Sequence, residues 1–269
     1  MDEGDSKSNS SARPIPTQRA SSSQRILARH WQESIRYHGL PRYLRELSGA
    51  AKDAMLELLP SRRKARFGDL DYDWEHSVDT TRSNVGFGTQ LLAGLTGRPY
   101  FASEPWIFAE IMQALPVDFS QFTFVDLGSG KGRALLMASD YPFQRIMGVE
   151  FMPALHRAAQ KNIRSYSNER QQCRHIEAVC MDARDFQFPD GPLVVYLFNP
   201  FSEATFARVL ENLSGTVEQA PRPVYIAYRF TEFENLLARA NWLEKIAGTQ
   251  QWAVYGNRAV IARDRRNRA

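Results

Sequence analysis

The 269-residue chain predicts an α/β fold: a doubly wound, mostly parallel sheet with helices on both faces, preceded by an N-terminal helical extension. Three observations predict it. Phe122 to Val125 is an apolar run that ends in an acid, Asp126, then passes through glycines 128, 130 and 132 into a helix-forming stretch, Ala134 to Ser139. This reads as strand, tight loop, helix. Leu193 to Phe198 is apolar without alternation, as a central parallel strand covered on both faces must be. Around these two, short apolar runs alternate with amphipathic stretches, the rhythm of strand-helix-strand crossovers.

Taken in order, residues 1–24 are Ser-rich with Pro14 and Pro16, a composition that cannot bury enough apolar surface to order itself, so a loose tail is expected. Residues 25–98 form the N-terminal region. From Arg25 to Arg66 it reads as helical, with Ile26, Trp31, Ile35, Leu44, Leu47, Met55 and Leu58 as packing positions and breaks near Gly39-Leu40-Pro41 and Pro60. Residues 99–264 make the α/β domain and 265–269 a basic tail. The domain opens with a helix capped by Ser103, with Pro105 early and Ile107, Ile111 and Leu115 on one face. After the glycine loop, the strand Ile146 to Val149 ends in Glu150. The next helix begins at Pro153 and shows Leu155, Ala159 and Ile163 on one side. A third strand, Ile176 to Cys180, delivers Met181-Asp182-Ala183, and the fourth runs into Asn199-Pro200-Phe201. A helix from Glu203 to Leu213, the strand Val224 to Tyr228, a helix from Glu232 to Ala240 and apolar runs at Trp242 to Ala247 and Trp252 to Tyr255 follow, with Ala259 to Ala262 extending the last.

The loop Asp126-Leu-Gly-Ser-Gly-Lys-Gly-Arg133 separates three ligand chemistries by spacing. A phosphate-binding P-loop with Lys131 as its lysine needs glycine at 125 and Ser or Thr at 132; Val125 and Gly132 stand there. The dinucleotide fingerprint begun at Gly128 needs glycine at 133, where the chain has Arg133, and would place a pyrophosphate beside the Asp126 carboxylate. A ligand-free βα turn is the bland alternative. Glu150 lies one crossover after Asp126 and brings a second carboxylate to the same sheet edge, where it can accept both hydroxyls of a ribose. Asp182, as an isolated Asp after a strand, reads as a helix or turn cap.

The D-x-G-x-G-x-G pattern resembles motif I of the class I S-adenosyl-L-methionine (SAM)-dependent methyltransferases, and the similarity spans Tyr100 to Arg263 through four landmarks in order. The resemblance implies a seven-stranded sheet with a final antiparallel hairpin, and SAM as cofactor. It implies that Asp126, Gly128, Ser129, Gly130 and Gly132 hold the cofactor with Glu150, Asp182 and Ala183, Asp182 through the adenine amino group, and that Asn199 stands near the departing methyl group. Asn199-Pro200-Phe201 is similar to the Asn-Pro-Pro-Phe of enzymes that methylate amino nitrogens, with one proline missing. Asn199, Glu104 and Tyr100 are the candidate catalytic residues, the last two as groups able to take a proton from an amine; a first-turn Glu104 is equally explained by the helix dipole. Diffuse similarity to relatives of protein-lysine methyltransferases, carried by the Gly-Ser-Gly, Gly-Val-Glu and Trp252-Ala-Val-Tyr255 stretches, favours a protein lysine as acceptor, with a small molecule as the alternative. A SAM-sensing or RNA-binding module without turnover, and an NAD-dependent oxidoreductase, are the other readings. The segment 69–97, with Asn84-Val-Gly-Phe-Gly88, occupies the place where such enzymes carry a lid over the cofactor.

Composition narrows the class. The chain is 43% hydrophobic with a net charge of +4, enough for one substantial core. Basic residues concentrate between Arg25 and Arg66 and again at Arg265-Arg266, so an acidic partner such as RNA is one reading and a solvated helix face the other. Cys173 and Cys180 lack zinc-like spacing, and the five histidines are scattered: no metal is expected. No apolar stretch reaches membrane-spanning length and the first residues are acidic, so a cytoplasmic location is expected. A serine hydrolase is disfavoured by the absence of a G-x-S-x-G elbow.

Overall fold

The computed structural model describes residues 70–81 and 101–258, with Arg29, 32–33, 35–37, 39–41, 44–45 and Ser48 ahead of them. The expected tails 1–24 and 265–269, the extension Ala259 to Ala262, most of the 25–66 region, the 84–88 glycine segment and Tyr100 lie outside the described residues.

The elements are α1 (Leu70–His76), α2 (Pro105–Ala114), a 3-10 turn (Phe119–Gln121), β1 (Thr123–Leu127), α3 (Arg133–Ala138), β2 (Arg145–Glu150), α4 (Pro153–Ser165) and β3 (Ile176–Cys180). After a second 3-10 turn (Ala183–Asp185) come β4 (Leu193–Phe198), α5 (Glu203–Gln219), β5 (Val224–Arg229), α6 (Glu234–Arg239), β6 (Leu243–Gly248) and β7 (Trp252–Asn257). One seven-stranded sheet has the order β3-β2-β1-β4-β5-β7-β6. The first five strands are parallel, and β7 runs antiparallel between β5 and β6. The winding direction reverses between β1 and β4, which opens a crevice at their carboxyl ends, the place where sheets of this kind bind ligands.

Successive strand residues face opposite sides, so a strand covered twice must be apolar throughout. One face of the sheet packs Val125, Leu127, Val195 and Leu197 against Phe206, Val209 and Leu213 of α5 and Leu237 of α6. The other packs Phe124, Ile146, Val194 and Tyr196 against Ile107, Phe108 and Ile111 of α2 and Leu135 of α3. Leu155 and Ala159 of α4 are buried as the spacing predicts. The helix expected to end at Leu213 continues to Gln219, because Val217 still reaches the core.

Two expectations are corrected. The cap position of α2 is Glu104, whose side chain makes no capping bond, and not Ser103. Pro105 starts the helix without an N–H to cap, while the Ser103 hydroxyl is buried and receives the Tyr196 hydroxyl at 3.0 Å. In the N-terminal region, Gly39 at φ +76° breaks the helix as expected, its N–H donating to the Ile35 carbonyl at 2.8 Å. Ile35 and Leu44, however, are exposed among the described residues. Charge docks this stretch instead: Arg29 donates to both carboxylate oxygens of Asp185 at 2.7 Å, and Arg184 donates to Glu33.

Candidate active site

At the end of β1 the chain must turn under a fixed ceiling, the Val149 carbonyl, which accepts from Gly128 N–H at 2.8 Å and Ser129 N–H at 3.0 Å. Gly128, Gly130 and Gly132 take φ of +81°, +54° and +88°, a region that costs residues with a Cβ. Gly128 also makes room, since a Cβ there would lie 2.3 Å from Pro200 Cβ. The first glycine therefore admits the loop after β4, and that loop caps the turn. Gly148 in β2 has a matching role that its sequence context does not reveal. A Cβ on it would come within 2.5 Å of Leu135 and 2.8 Å of the Ser129 hydroxyl.

Asp126 and Glu150 are both buried at this edge. Glu150 accepts from Gly130 N–H at 2.9 Å through one oxygen and from Met152 N–H at 2.8 Å through the other. Burial raises its pKa to about 7, more than these backbone donors lower it. Asp126 lies well above the usual carboxylate range, first from burial and then from the Glu150 charge. The two loop cations do not compensate: Lys131 is paired with Asp79 and Arg133 with Asp73. Ser129 Oγ is buried without a partner. Two buried carboxylates and a hydroxyl without a partner thus meet at one sheet edge, and among the described residues the loop's own cations are paired elsewhere.

Beside them a cleft is lined by Gly128, Val149, Phe151, Met181, Ala183 and Phe201, an apolar slot suited to a flat ring, with Asp182 and Arg184 at its side. Asp182 takes the cap role, accepting from Arg184 N–H at 2.9 Å. It also receives the Arg184 guanidinium at 2.5 Å. Burial would raise the Asp182 pKa, but the hydrogen bonds and charge of Arg184 outweigh it and hold it low. Its carboxylate is thus ionised and already engaged by Arg184.

The carboxyl ends of β4 and β5 form the other half. Phe198 pairs with Arg229 in register, so Asn199 and Phe230 leave the sheet side by side. Both have positive φ, +44° and +61°. Asn199 donates to Glu232 at 2.9 Å and accepts from the Tyr228 hydroxyl at 2.9 Å, and this fixes which way its amide faces. The Phe198 and Phe230 rings stack at 5.3 Å, and the Arg229 guanidinium lies 4.2 Å from the Phe230 centroid. Arg229 also donates to Glu104 at 3.1 Å, while the other Glu104 oxygen is buried and unpartnered.

The sequence-predicted residues thus separate into two groups. Asp126, the glycines, Glu150, Asp182 and Ala183 share one edge; Asn199 and Glu104 belong to the β4–β5 mouth. Arg229, Phe230 and Gly148 were missed. An aromatic following a strand carries no signal of backbone strain, and Gly148 reads as an ordinary strand residue. Among the described residues, no cluster of three or more His, Cys, Asp or Glu can hold a metal, and no helix is long and apolar enough to cross a membrane.

Residues 125–213 match the family model described as methyltransferase domain. No curated protein matches. Among solved structures, the chain is similar to phosphoethanolamine N-methyltransferase 1 of Haemonchus contortus in complex with phosphoethanolamine and S-adenosylhomocysteine, at 19% identity over 45% of this chain and 24% of that one, TM-score 0.35. It is similar to N,N-8-amino-8-demethyl-D-riboflavin dimethyltransferase of Streptomyces davawensis at 19% identity over 56% and 54%, TM-score 0.41. A 23S rRNA methyltransferase is similar at 12% identity over 60% and 70%, TM-score 0.43. The chain spans about a quarter of the first of these and about half of the second.

Proposed function

We propose that this chain, a class I SAM-dependent methyltransferase, transfers a methyl group by in-line displacement to a nitrogen nucleophile, with a protein lysine as the favoured acceptor. The observation that carries the cofactor half is the buried Asp126–Glu150 pair beside a three-glycine bend, its loop cations paired elsewhere, at the point where the sheet reverses direction. Asp126 and the unpaired Ser129 hydroxyl would hold the amino-acid end with the bend at Gly128, Gly130 and Gly132, Glu150 the ribose, and Asp182 with Ala183 the base, in the slot lined by Gly128 and Pro200. When bound, the cofactor supplies a methyl group already activated on a sulfonium, so the protein needs to align the nucleophile and exclude water more than to push protons.

On the acceptor side, Asn199 presents an amide oriented by Glu232 and Tyr228, able to hold an amine. The spare oxygen of Glu104 is the base that an ammonium acceptor requires, and Tyr100 is the second candidate. The half-exposed Phe230 ring, with Phe101 and Trp106 exposed around the start of α2, supports the small-molecule alternative, because flat aromatic walls suit a compact ring. An acidic partner such as RNA belongs to the same proposal through the basic residues before 67, of which Arg29 is committed to Asp185.

Calorimetry with S-adenosylhomocysteine against NAD tests the cofactor half: binding of the former alone is expected, and binding of NAD alone overturns it. Labelled-methyl transfer into cell extract tests the acceptor. Label in protein as acid-stable methyl-lysine is the expected result. Label confined to small molecules moves the assignment to the alternative, and no label at all favours a non-catalytic module.

A further inference from the structure

The two cations in the glycine loop turn away from the carboxylates and grip a segment some fifty residues earlier. Lys131, 3% exposed, donates through Nζ to Asp79 at 2.8 Å and to the Thr81 carbonyl at 2.9 Å. Arg133, 2% exposed, donates from Nε to the Thr80 hydroxyl at 2.6 Å and from Nη2 to Asp73 at 3.3 Å, its guanidinium 4.9 Å from the Tyr72 ring centroid. Asp73 accepts Thr80 N–H at 2.7 Å, Thr81 N–H at 2.8 Å and the Thr80 hydroxyl, which ties the segment into a rigid hook. Asn162 of α4 bolts hook to loop. Its Nδ2 donates to the carbonyls of Asp79 at 2.8 Å and Lys131 at 2.9 Å, and its Oδ1 accepts Asp79 N–H at 2.9 Å.

Stability is a poor reason for burying two cations here. An ion pair taken out of water commonly contributes no more than well-packed apolar residues would. What a three-glycine loop lacks is a single preferred conformation, since each glycine samples both signs of φ. A ligand that must order such a loop loses affinity by the ordering cost, and a loop held beforehand avoids it. Lys131 lies between Gly130, whose N–H reaches Glu150, and Gly132, so restraint at 131 and 133 fixes the glycine that presents the carboxylate.

We propose that Asp73 and Asp79 are positioning residues of the cofactor site, holding the glycine loop in its binding conformation through Arg133 and Lys131. By linkage, cofactor binding in turn secures the 73–81 hook, which leads directly into the 82–100 stretch ahead of α2. The inference rests on the cofactor reading above. It differs from it in that neither aspartate touches the cofactor.

The test uses the full chain and S-adenosylhomocysteine. Asp79→Asn and Asp73→Asn are expected to weaken binding by about tenfold or more, with Asp79→Glu recovering most of the loss. Amide exchange in a peptide spanning 127–136 should speed up in the Asn variants while that of β4 stays at the parent rate. In the parent protein, the ligand should slow exchange at 73–81. Affinity within twofold of the parent in variants whose β4 exchange is unchanged overturns the proposal, as does exchange at 73–81 that ignores the ligand. The second arm needs no variant and stands if a substitution prevents folding. Failure of the parent to bind the ligand at all would remove the cofactor reading itself, a different outcome from either.

Discussion

The two halves of the crevice reach the same backbone geometry by opposite means. At the ends of β1 and β2, positive φ falls on Gly128, Gly130 and Gly132, which adopt it without penalty, and the Ser129 hydroxyl is buried without a partner. At the ends of β4 and β5 it falls on Asn199 and Phe230, side chains for which it costs energy, and the aromatic surface there is half open to solvent. The β1–β2 edge is relaxed in backbone and strained in charge, with two carboxylates buried together. The β4–β5 mouth is strained in backbone, with Arg229 donating to Glu104 and Asn199 to Glu232.

The sharpest way to break this contrast is Gly128→Ala. It places a Cβ at φ +81° and 2.3 Å from Pro200, so we expect about 2–3 kcal/mol of lost stability in urea unfolding and at least about 100-fold weaker S-adenosylhomocysteine binding. Asp126→Asn should separate stability from binding. Removing a buried carboxyl whose ionisation the fold disfavours should stabilise the ligand-free protein by on the order of 1 kcal/mol, while loss of the ligand's counter-charge weakens binding by roughly 30-fold. Thermal unfolding and calorimetry on one preparation check both signs.

The same charge strain predicts a pH dependence. Burial raises Glu150 from 4.5 to about 7 and raises Asp126 as well, so the folded state holds their protons more tightly than the unfolded chain does. The contribution of Glu150 to stability is full below the ordinary carboxylate range and is lost as pH rises toward 7, and that of Asp126 falls in the same direction. A cationic ligand prefers the ionised pair, so its affinity should climb from pH 6 to 8 by up to about tenfold per unit, and the climb should flatten in Glu150→Gln. The smallest effect belongs to the other half. Phe230→Gly should exceed Phe230→Ala in stability by about 1 kcal/mol, because both lose the ring and only glycine relieves φ +61°. Ligand affinity should be equal in the two; a Gly variant less stable than the Ala variant would deny the strain.

Asp126, the three glycines and Glu150 were legible in the sequence because each marks a strand end, and strand ends are written in local pattern. Arg133 was legible only as a misfit to a dinucleotide site. Its use, gripping Asp73 and Thr80, depends on a partner some sixty positions away that no spacing rule identifies. Asp182 left two readings open; the structure gives it the cap, accepting from Arg184 N–H, and adds the Arg184 guanidinium folded back onto it, a contact no local pattern announces. Ser103 was misread as a cap since the hydroxyl that occupies it comes from Tyr196, in the middle of the sheet.

The order of apolar runs and bends by itself determined a sheet wound from both sides and the edge at which its acids gather, because hydrophobic period and glycine's missing Cβ act over a few neighbouring residues. Tertiary structure alone decided which charges go uncompensated, which cations are spent on the hook at 73–81, and that Phe230 is forced into a left-handed turn. Those outcomes follow from burial and through-space electrostatics, whose strength depends on the distance between groups in the folded chain and not on their separation along it.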